Sequence, residues 1–219
     1  METLVQRDVR DLARIGSLDA MPRLLAIAAT QTARLLNVSS LAGPLQLSRP
    51  TIRDYVTLLE RMFLIEELPP WHSNRLSRLV KTPKLHLADT GVACALLGVD
   101  ADALTADRSL LGQLLETFVL QELRRQASWH EARLSFFHFR DRDQVEVDIV
   151  IERGAQAVAG VEVKAAATVR NADFRGLRKL RDAAGARFAG RVVLYDGETS
   201  VGFGDSLYAV PLGALWAAP

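Results

Sequence analysis

Two segments of the chain decide its fold: Val-Glu-Val-Asp-Ile-Val-Ile at residues 145–151 and Ala-Val-Ala-Gly-Val-Glu-Val-Lys at residues 157–164. Branched apolar residues occupy every second position of the first segment, and Val161 and Val163 alternate with polar residues in the second. This period of two predicts a pair of β-strands joined as a hairpin. The alternation places the apolar residues of each strand on one face. Asp148 then lies on the opposite face of the first strand, and Glu162 and Lys164 lie together on the second. We expect these three side chains to converge at one end of a sheet.

These residue types can support hydrolysis of a phosphodiester. The carboxylates of Asp148 and Glu162 are hard oxygen ligands of the kind that Mg²⁺ binds in proteins. A lysine beside them, Lys164, can orient or deprotonate an attacking water and stabilise charge that develops on the phosphate. An acidic residue two positions before a lysine also arises often by chance. The alternative interpretation is therefore a solvated polar sheet face that carries a Lys–Glu pair.

The second half of the chain, residues 107–219, is predicted to form one domain. Its pattern predicts a helix, three strands, a helix and two further strands, over 110–125, 134–139, 145–151, 157–164, 173–184, 191–195 and 207–210. Consecutive strands followed by a helical crossover indicate an α/β domain with a mixed sheet flanked by helices. Glu116 lies on the first of these helices.

The first half, residues 19–106, is predicted to be mainly helical. Apolar residues over 24–35 have helical spacing, and Ser48 is expected to cap a second helix. Two short helices joined by a tight turn are typical of a helix-turn-helix, and strands near 63–68 and 84–88 would supply a wing. With the domain that follows, the class is α/β, or α+β for the whole chain.

Two resemblances extend these expectations. Asp148, Glu162 and Lys164, preceded by Glu116 on a helix, resemble the PD-(D/E)XK core of restriction-endonuclease-like proteins. Nearly the whole chain also resembles the C-terminal half of a family of prokaryotic predicted AAA-type ATPases. In that family a winged helix and a nuclease-like domain of unknown function follow a nucleotide-binding domain. The segments that carry the resemblance include Ser-Arg-Pro-Thr at 48–51, Pro-Pro-Trp at 69–71, Lys-Thr-Pro-Lys at 81–84 and Asp-Thr-Gly at 89–91.

The resemblance implies roles for individual residues. The catalytic set would be Glu116, Asp148, Glu162 and Lys164, with Mg²⁺ or Mn²⁺ held by Asp148 and Glu162. Residues 1–18 would connect to an N-terminal domain that this chain lacks, so an ATPase domain or subunit is expected as a partner. We expect no ATP site in the chain itself, because its P-loop-like string at 185–192 lacks the Lys-Ser/Thr ending.

Clusters of basic residues predict contacts with DNA. Arg49 and Arg53 lie at the start of the helix after the turn, where helix-turn-helix proteins contact bases or phosphates. The segment 68–88 adds four candidate contacts, Arg75, Arg78, Lys81 and Lys84, and residues 170–191 form a second basic stripe. The alternative is that these faces are merely solvated and that the winged helix is a protein-interaction or spacer module.

Composition limits the remaining classes of function. The 219 residues have a net charge of +1, are 49% hydrophobic and include one cysteine. These values describe a folded cytoplasmic protein and exclude a strongly basic nucleic-acid coat. The apolar runs are too short for a membrane segment. Two functions stay open: a DNA-associated module with a Mg²⁺-dependent nuclease-like site, and a catalytically silent DNA-binding, protein-interaction or regulatory module. Whether the chain is an enzyme or an oligomer is left open too.

Overall fold

The computed structural model describes residues 20–73 and 82–217. The helices are α1 (Ala20–Ala29), α2 (Val38–Ala42), α3 (Arg49–Arg61), α4 (Thr90–Leu97), α5 (Ala101–Ala106), α6 (Arg108–Ala127) and α7 (Arg175–Ala184). The strands are β1 (Arg34–Leu35), β2 (Ile65–Leu68), β3 (Lys84–Leu87), β4 (Leu134–Arg140), β5 (Glu146–Arg153), β6 (Ala157–Lys164), β7 (Phe188–Tyr195), β8 (Val201–Gly202) and β9 (Tyr208–Pro211). No helix in the two ranges is long and apolar enough to cross a bilayer.

The N-terminal part packs α1, α2 and α3 against a small antiparallel sheet with the strand order β1-β3-β2. As predicted, Ser48 caps α3: its hydroxyl accepts a hydrogen bond of 3.2 Å from the backbone N–H of Thr51. The apolar faces of α1 and α3 meet in one core, whose fully buried members include Leu24, Ile52 and Leu59. This packing leaves the opposite face of α3 exposed.

The C-terminal part is a mixed sheet of six strands in the order β4-β5-β6-β7-β9-β8. The first three form an antiparallel meander, and the crossover through α7 makes β7 parallel to β6. Helix α6 covers one face of the sheet, where Val119 and Leu120 pack with Ile149. Helix α7 covers the other face with Leu177 and Leu180. The sheet is therefore buried between two helical layers.

The N-terminal part also contributes to the core of the larger sheet. The backbone N–H of His138 in β4 donates to the carbonyl of Pro69 (2.9 Å), and the N–H of Trp71 donates to the carbonyl of His138 (2.6 Å). The Trp71 side chain is fully buried on the α7 side of the sheet. Its ring lies edge-on to Phe139 at 6.2 Å, with the guanidinium of Arg187 5.7 Å from its centroid. Trp71, from the N-terminal part, therefore belongs to the hydrophobic core of the larger sheet.

The predicted fold class, mixed α and β with a helix-flanked mixed sheet, is confirmed. The predicted strand over 157–164 coincides with β6, and those over 134–139 and 145–151 match β4 and β5 to within two residues. The single helix predicted from the spacing over 24–35 is wrong. α1 ends at Ala29, and the chain turns into the short strand β1, which pairs with β3.

Candidate functional site

A β-bulge in β5 sets the geometry of the acidic residues. The register of β4 against β5 shifts at His138, so that Asp148 and Ile149 together lie opposite this single residue. A bulge interrupts the alternation of side chains and re-aims them. Val147 accordingly packs on the α7 side of the sheet and Ile149 on the α6 side. The predicted common face for the apolar residues of this strand is therefore wrong at the bulge.

Asp148 bridges β5 and β6 just beyond the end of their ladder. The last paired residues are Ile149 and Val161. One step further, Asp148 Oδ2 accepts a hydrogen bond of 2.9 Å from the backbone N–H of Val163. The carboxylate thus replaces a main-chain acceptor in the space between the two strands. This contact places Asp148 beside Glu162, the residue that precedes Val163.

Lys84 places an ammonium among the carboxylates. Its Nζ lies 2.8 Å from Glu116 Oε1, 3.3 Å from Asp148 Oδ1 and 3.7 Å from Glu146 Oε2. The side chain of Lys84 is only 3% exposed, whereas those of Glu116 and Asp148 are 12% and 14% exposed. The lysine comes from β3 in the N-terminal sheet, and the carboxylates come from α6 and β5. We refer to Lys84, Glu116, Asp148 and Glu162 as the acidic centre.

Buried hydroxyl groups position α6, and with it Glu116. The hydroxyl of Thr117, next in the helix, lies 2.8 Å from the hydroxyl of Thr32 and 3.0 Å from Nδ1 of His86. Thr32 also accepts from the backbone N–H of Leu87 in β3 (3.1 Å). These contacts tie α6 to the strand that carries Lys84. These hydrogen bonds therefore fix the position of Glu116 relative to Lys84.

Burial and charge shift the titration of the acidic centre. Burial, and then the charge of Asp148, raise the pKa of Glu116 to about 8, although Lys84 opposes the shift. Burial and Asp148 also raise the pKa of Glu162 well above its ordinary value. For Lys84, burial lowers the pKa, but the charges of Glu116 and Asp148 outweigh it and raise the pKa above the ordinary value. At neutral pH the lysine is therefore charged, and Glu116 still holds a proton in a substantial fraction of molecules.

The two predicted catalytic residues of β6 lie in different surroundings. The Glu162 Oε2 atom is buried and has no hydrogen-bond partner among the described residues. The Nζ of Lys164 lies 2.6 Å from Asp173 Oδ1, in the 3₁₀ turn Asn171–Phe174 before α7. The structure thus brings Glu116, Asp148 and Glu162 together. It pairs Lys164 with Asp173 and places Lys84 between the carboxylates.

The acidic centre does not fit a divalent metal in this conformation. Mg²⁺ needs oxygen ligands at about 2.0–2.1 Å, but the ammonium of Lys84 is hydrogen-bonded to Glu116 and Asp148 in the space between them. Across residues 20–73 and 82–217, no three His, Cys, Asp or Glu side chains are grouped as ligands of a metal ion. Binding of Mg²⁺ or Mn²⁺ by Asp148 and Glu162 stays a prediction that this geometry does not support.

An open pocket at the start of α3 is the second candidate site. Arg49 and Arg53 lie one helical turn apart and are exposed. Together with residues 35–39 and Thr82 they line a pocket of about 490 Å³. Two guanidinium groups beside the hydroxyls of Ser39 and Thr82 suit an anion such as phosphate. The role of Arg49 and Arg53 in binding nucleic acid stays a prediction.

The other predicted DNA contacts have different outcomes. Arg75, Arg78 and Lys81 lie outside the described residues. The prediction that Lys84 contacts DNA is wrong, because its ammonium is buried against carboxylates and is not presented at the surface. The basic stripe over 170–191 is partly neutralised within the chain.

Individual contacts show how this stripe is neutralised. The Nζ of Lys179 lies 3.0 Å from Asp141 Oδ2 and 2.9 Å from Asp143 Oδ2. Arg187 pairs with the buried carboxylate of Glu152 at 3.3 Å. Fewer cations are therefore free for phosphate than the local count of basic residues indicates.

Sequence reasoning missed Lys84 as a member of the acidic centre. The available signal was weak but real: Lys-Leu-His-Leu at 84–87 alternates charged or polar residues with leucine, as in a strand with one solvated face. All four residues of this strand are buried instead. The polar face of β3 lies against α6 and β5, and only the tertiary fold reveals this.

Comparison with known proteins relates both halves of the chain to families without an assigned function. A family model for a domain of unknown function, DUF8612, matches residues 1–103, and one for DUF4143, also a domain of unknown function, matches residues 111–215. Uncharacterized proteins of Mycobacterium bovis and Mycobacterium tuberculosis are each 30% identical over 207 residues. Those alignments cover 92% of this chain but only 44% of the relatives, so the chain spans less than half of their length.

Among solved structures, the chain is similar to part of a half-complex of Thermococcus gammatolerans McrB AAA+ hexamers with bound McrC. The TM-score is 0.35 at 11% identity, and the alignment covers 89% of this chain and 71% of that one.

Proposed function

We propose that this chain is a DNA-associated module in which a winged helix precedes a PD-(D/E)XK-like domain. The N-terminal order of helix, strand, two helices and two strands, with the sheet order β1-β3-β2, supports the first unit. The helix-flanked mixed sheet, with Asp148 and Glu162 on neighbouring strands and Glu116 on the preceding helix, supports the second. Fold alone does not imply activity, so the function has to rest on the sites.

The paired arginines of α3 carry the proposal of DNA association. Arg49 and Arg53 are exposed on the first two turns of the helix and line one pocket. Neither takes part in an ion pair among the described residues. Guanidinium groups that form no ion pair within the described part of the chain can neutralise phosphates and release counterions when duplex DNA binds.

The test is a titration of duplex DNA over a range of salt, followed by fluorescence anisotropy. We expect binding that weakens as salt rises. In the double variant Arg49→Ala/Arg53→Ala the slope of log affinity against log salt should fall by about 1.8, because each phosphate contact contributes about 0.9. Arg61→Ala, an exposed arginine at the other end of α3, is the matched control and should keep the slope. Affinity that is indifferent to salt would rule out phosphate contact as the main source of binding.

The proximity of Asp148, which bridges β5 and β6, to Glu116 and to Glu162 favours a second candidate function, metal-dependent hydrolysis of phosphodiesters. Glu116 and Asp148 share the ammonium of Lys84, and Glu162 is close enough for their charges to add to the effect of burial and raise its pKa. This function would require a state in which Lys84 has left the acidic centre. The test is cleavage of labelled single- and double-stranded DNA with Mg²⁺ or Mn²⁺ by wild type and Asp148→Asn. Cleavage by wild type that the variant lacks would support the function. Equal cleavage by both would trace it to a contaminant.

We also propose an ATPase domain or subunit as a partner of this chain. The support is the resemblance to the C-terminal half of predicted AAA-type ATPases, together with relatives that extend well beyond the matched region. An adjacent gene for a P-loop ATPase, whose product co-purifies with this chain, is the expected finding. Failure of the two products to associate would count against it.

A further inference from the structure

The cation of the acidic centre is part of the chain itself. We infer that Lys84 serves as a built-in counter-ion that takes the place of a divalent metal, and that it excludes the metal as long as the N-terminal sheet is docked on α6 and β5. This exclusion involves the acidic centre alone and does not depend on DNA binding. Three features support it: the contacts of Lys84, the anchoring of its strand and the unpaired oxygen of Glu162.

The contacts leave no room for a second cation. The ammonium lies between Glu116 Oε1 and Asp148 Oδ1, at 2.8 and 3.3 Å, and 3.7 Å from Glu146 Oε2. A metal bound to the same two oxygens would have to lie about 2 Å from each, in the volume that the ammonium occupies. Because the ammonium and the metal would occupy the same volume between these carboxylates, their binding is mutually exclusive.

The strand that carries Lys84 is anchored on both sides. Lys84 pairs with Leu35 of β1 and with Leu68 of β2, and the carbonyl of the preceding Pro83 accepts from the N–H of Leu36 at 2.8 Å. Leu68 itself is fully buried in the core between α6 and the large sheet. The backbone of Lys84 therefore cannot retreat unless the N-terminal sheet moves away from α6. Access of metal to the acidic centre is in this way coupled to the contact between the two parts of the chain.

Glu162 shows that the carboxyl groups are not fully satisfied by the lysine. Its Oε2 is buried and lacks a hydrogen-bond partner among the described residues, although such atoms are costly to leave unpaired. One ammonium serves Glu116 and Asp148 but donates no hydrogen bond to Glu162. An oxygen ligand of this kind is available to a metal once Lys84 is removed.

Replacement of Lys84 tests the inference through metal binding. Titration with Mn²⁺, followed by calorimetry and by electron paramagnetic resonance, should show no uptake by wild type that depends on Asp148. Lys84→Met, which keeps the length and removes the charge, should gain Mn²⁺ affinity by at least tenfold over wild type. The double variant Lys84→Met/Asp148→Asn should lose that gain. Lys164→Met is the matched control and should resemble wild type, because Lys164 is paired with Asp173 instead.

Two results would overturn the inference. One is wild type that binds Mn²⁺ through Asp148 as tightly as Lys84→Met does. The other is Lys84→Met that is folded by circular dichroism yet gains no affinity. Neither outcome involves DNA, so failure here leaves the proposed DNA association to its own test.

A second measurement covers the case in which Lys84→Met does not fold. The chain has four lysines, Lys81, Lys84, Lys164 and Lys179. Brief acylation of the native wild type, followed by mass spectrometry, should leave Lys84 unmodified while the partly exposed Lys164 and Lys179 react. Protection of Lys84 should be the same with and without 10 mM Mn²⁺. Rapid acylation of Lys84, or acylation that Mn²⁺ induces, would contradict the proposed exclusion of the metal.

Discussion

Two lysines near the acidic residues have nearly opposite surroundings. Lys84 is 3% exposed and contacts three carboxylates that come from α6 and β5. Lys164 is 37% exposed and contacts the single carboxylate of Asp173, nine positions further along the chain. The lysine that a sequence motif assigns to the acidic residues thus forms a local surface pair. The lysine that contacts them comes from another part of the fold.

The charge of a buried site is therefore set by the tertiary structure. Glu116 and Asp148 are close enough to raise each other's free energy when both are ionised, and burial adds to that cost. The ammonium of Lys84, which comes from β3, offsets this cost only while the N-terminal sheet is packed against α6 and β5. Lys84 therefore couples the stability of the acidic centre to the contact between the two parts, whereas Lys164 does not.

The largest expected effect is that of Lys84→Met on stability. Removal of the ammonium leaves Glu116 and Asp148 buried without their counter-ion, and loss of one partner from a buried ion pair costs about 3–5 kcal/mol. The measurement is urea unfolding at pH 7, followed by circular dichroism. Lys84→Arg keeps the charge and should recover part of the loss. A change below 1 kcal/mol in Lys84→Met would mean that the carboxyl groups find another source of compensation.

Packing of α7 against β5 gives the next largest effect. A Cβ added to Gly176 would lie 1.9 Å from the carbonyl oxygen of Glu146, a backbone atom that cannot rotate away. Gly176→Ala should therefore push α7 off the strand that carries Asp148 and destabilise the fold by about 1–3 kcal/mol, despite the better helix propensity of alanine.

Gly213→Ala is the control for this packing effect. Gly213 lies in the 3₁₀ turn Leu212–Leu215, an added Cβ would meet no atom within 4 Å apart from its chain neighbours, and the substitution should be neutral or slightly stabilising. Thermal unfolding of both variants measures the difference. Equal melting temperatures would show that α7 and β5 are not tightly packed at Gly176.

Much of this fold could be predicted from the sequence because its strands carry strong local signals. The valine-rich segment 157–164, with Val161 and Val163 alternating with polar residues, predicts β6 to the residue, and the pattern over 145–151 places Asp148 in a strand. The bulge at Asp148 could not be predicted, because it depends on pairing with His138 of another strand. Nor could the role of Lys84, since a buried lysine needs carboxylates that lie more than thirty residues away in sequence. Local alternation determines elements, but it carries no information on which elements meet.

The stability of the protein at low pH should depend on His138, which lies near Lys84. Burial, and then the charge of Lys84, lower the pKa of His138 from 6.5 to about 4. The unfolded chain then binds a proton that the folded chain does not, so stability is complete above pH 6.5 and is lost as pH falls toward 4. The loss attributable to His138 should approach about 1.4 kcal/mol per pH unit between pH 6 and 5.

The variant His138→Gln isolates this contribution. Its amide can still donate to the carbonyl of Thr82, which Nε2 of His138 contacts at 3.2 Å. Relative to wild type, the variant should gain stability as pH falls from 6.5 to 4.5, and the raised pKa of Glu116 acts equally on both proteins. Parallel pH profiles by urea unfolding would show that His138 titrates normally in the folded state.

The smallest expected effect is that of Lys164→Met, which completes the comparison of the two lysines. Lys164 and Asp173 form a short but partly exposed pair, 2.6 Å apart, and pairs of this kind contribute about 0–1 kcal/mol because water and salt screen them. Asp173 also accepts from the backbone N–H of Arg170 at 2.8 Å, so it keeps a partner when the ammonium is removed. We expect Lys164→Met to lose less than 1 kcal/mol at 50 mM salt and to approach wild type at 1 M salt. The deficit of Lys84→Met should persist at both concentrations, because ions cannot screen a pair that they cannot reach. A salt-independent loss of several kcal/mol in Lys164→Met would instead place this lysine in the buried charge network and remove the distinction between the two sites.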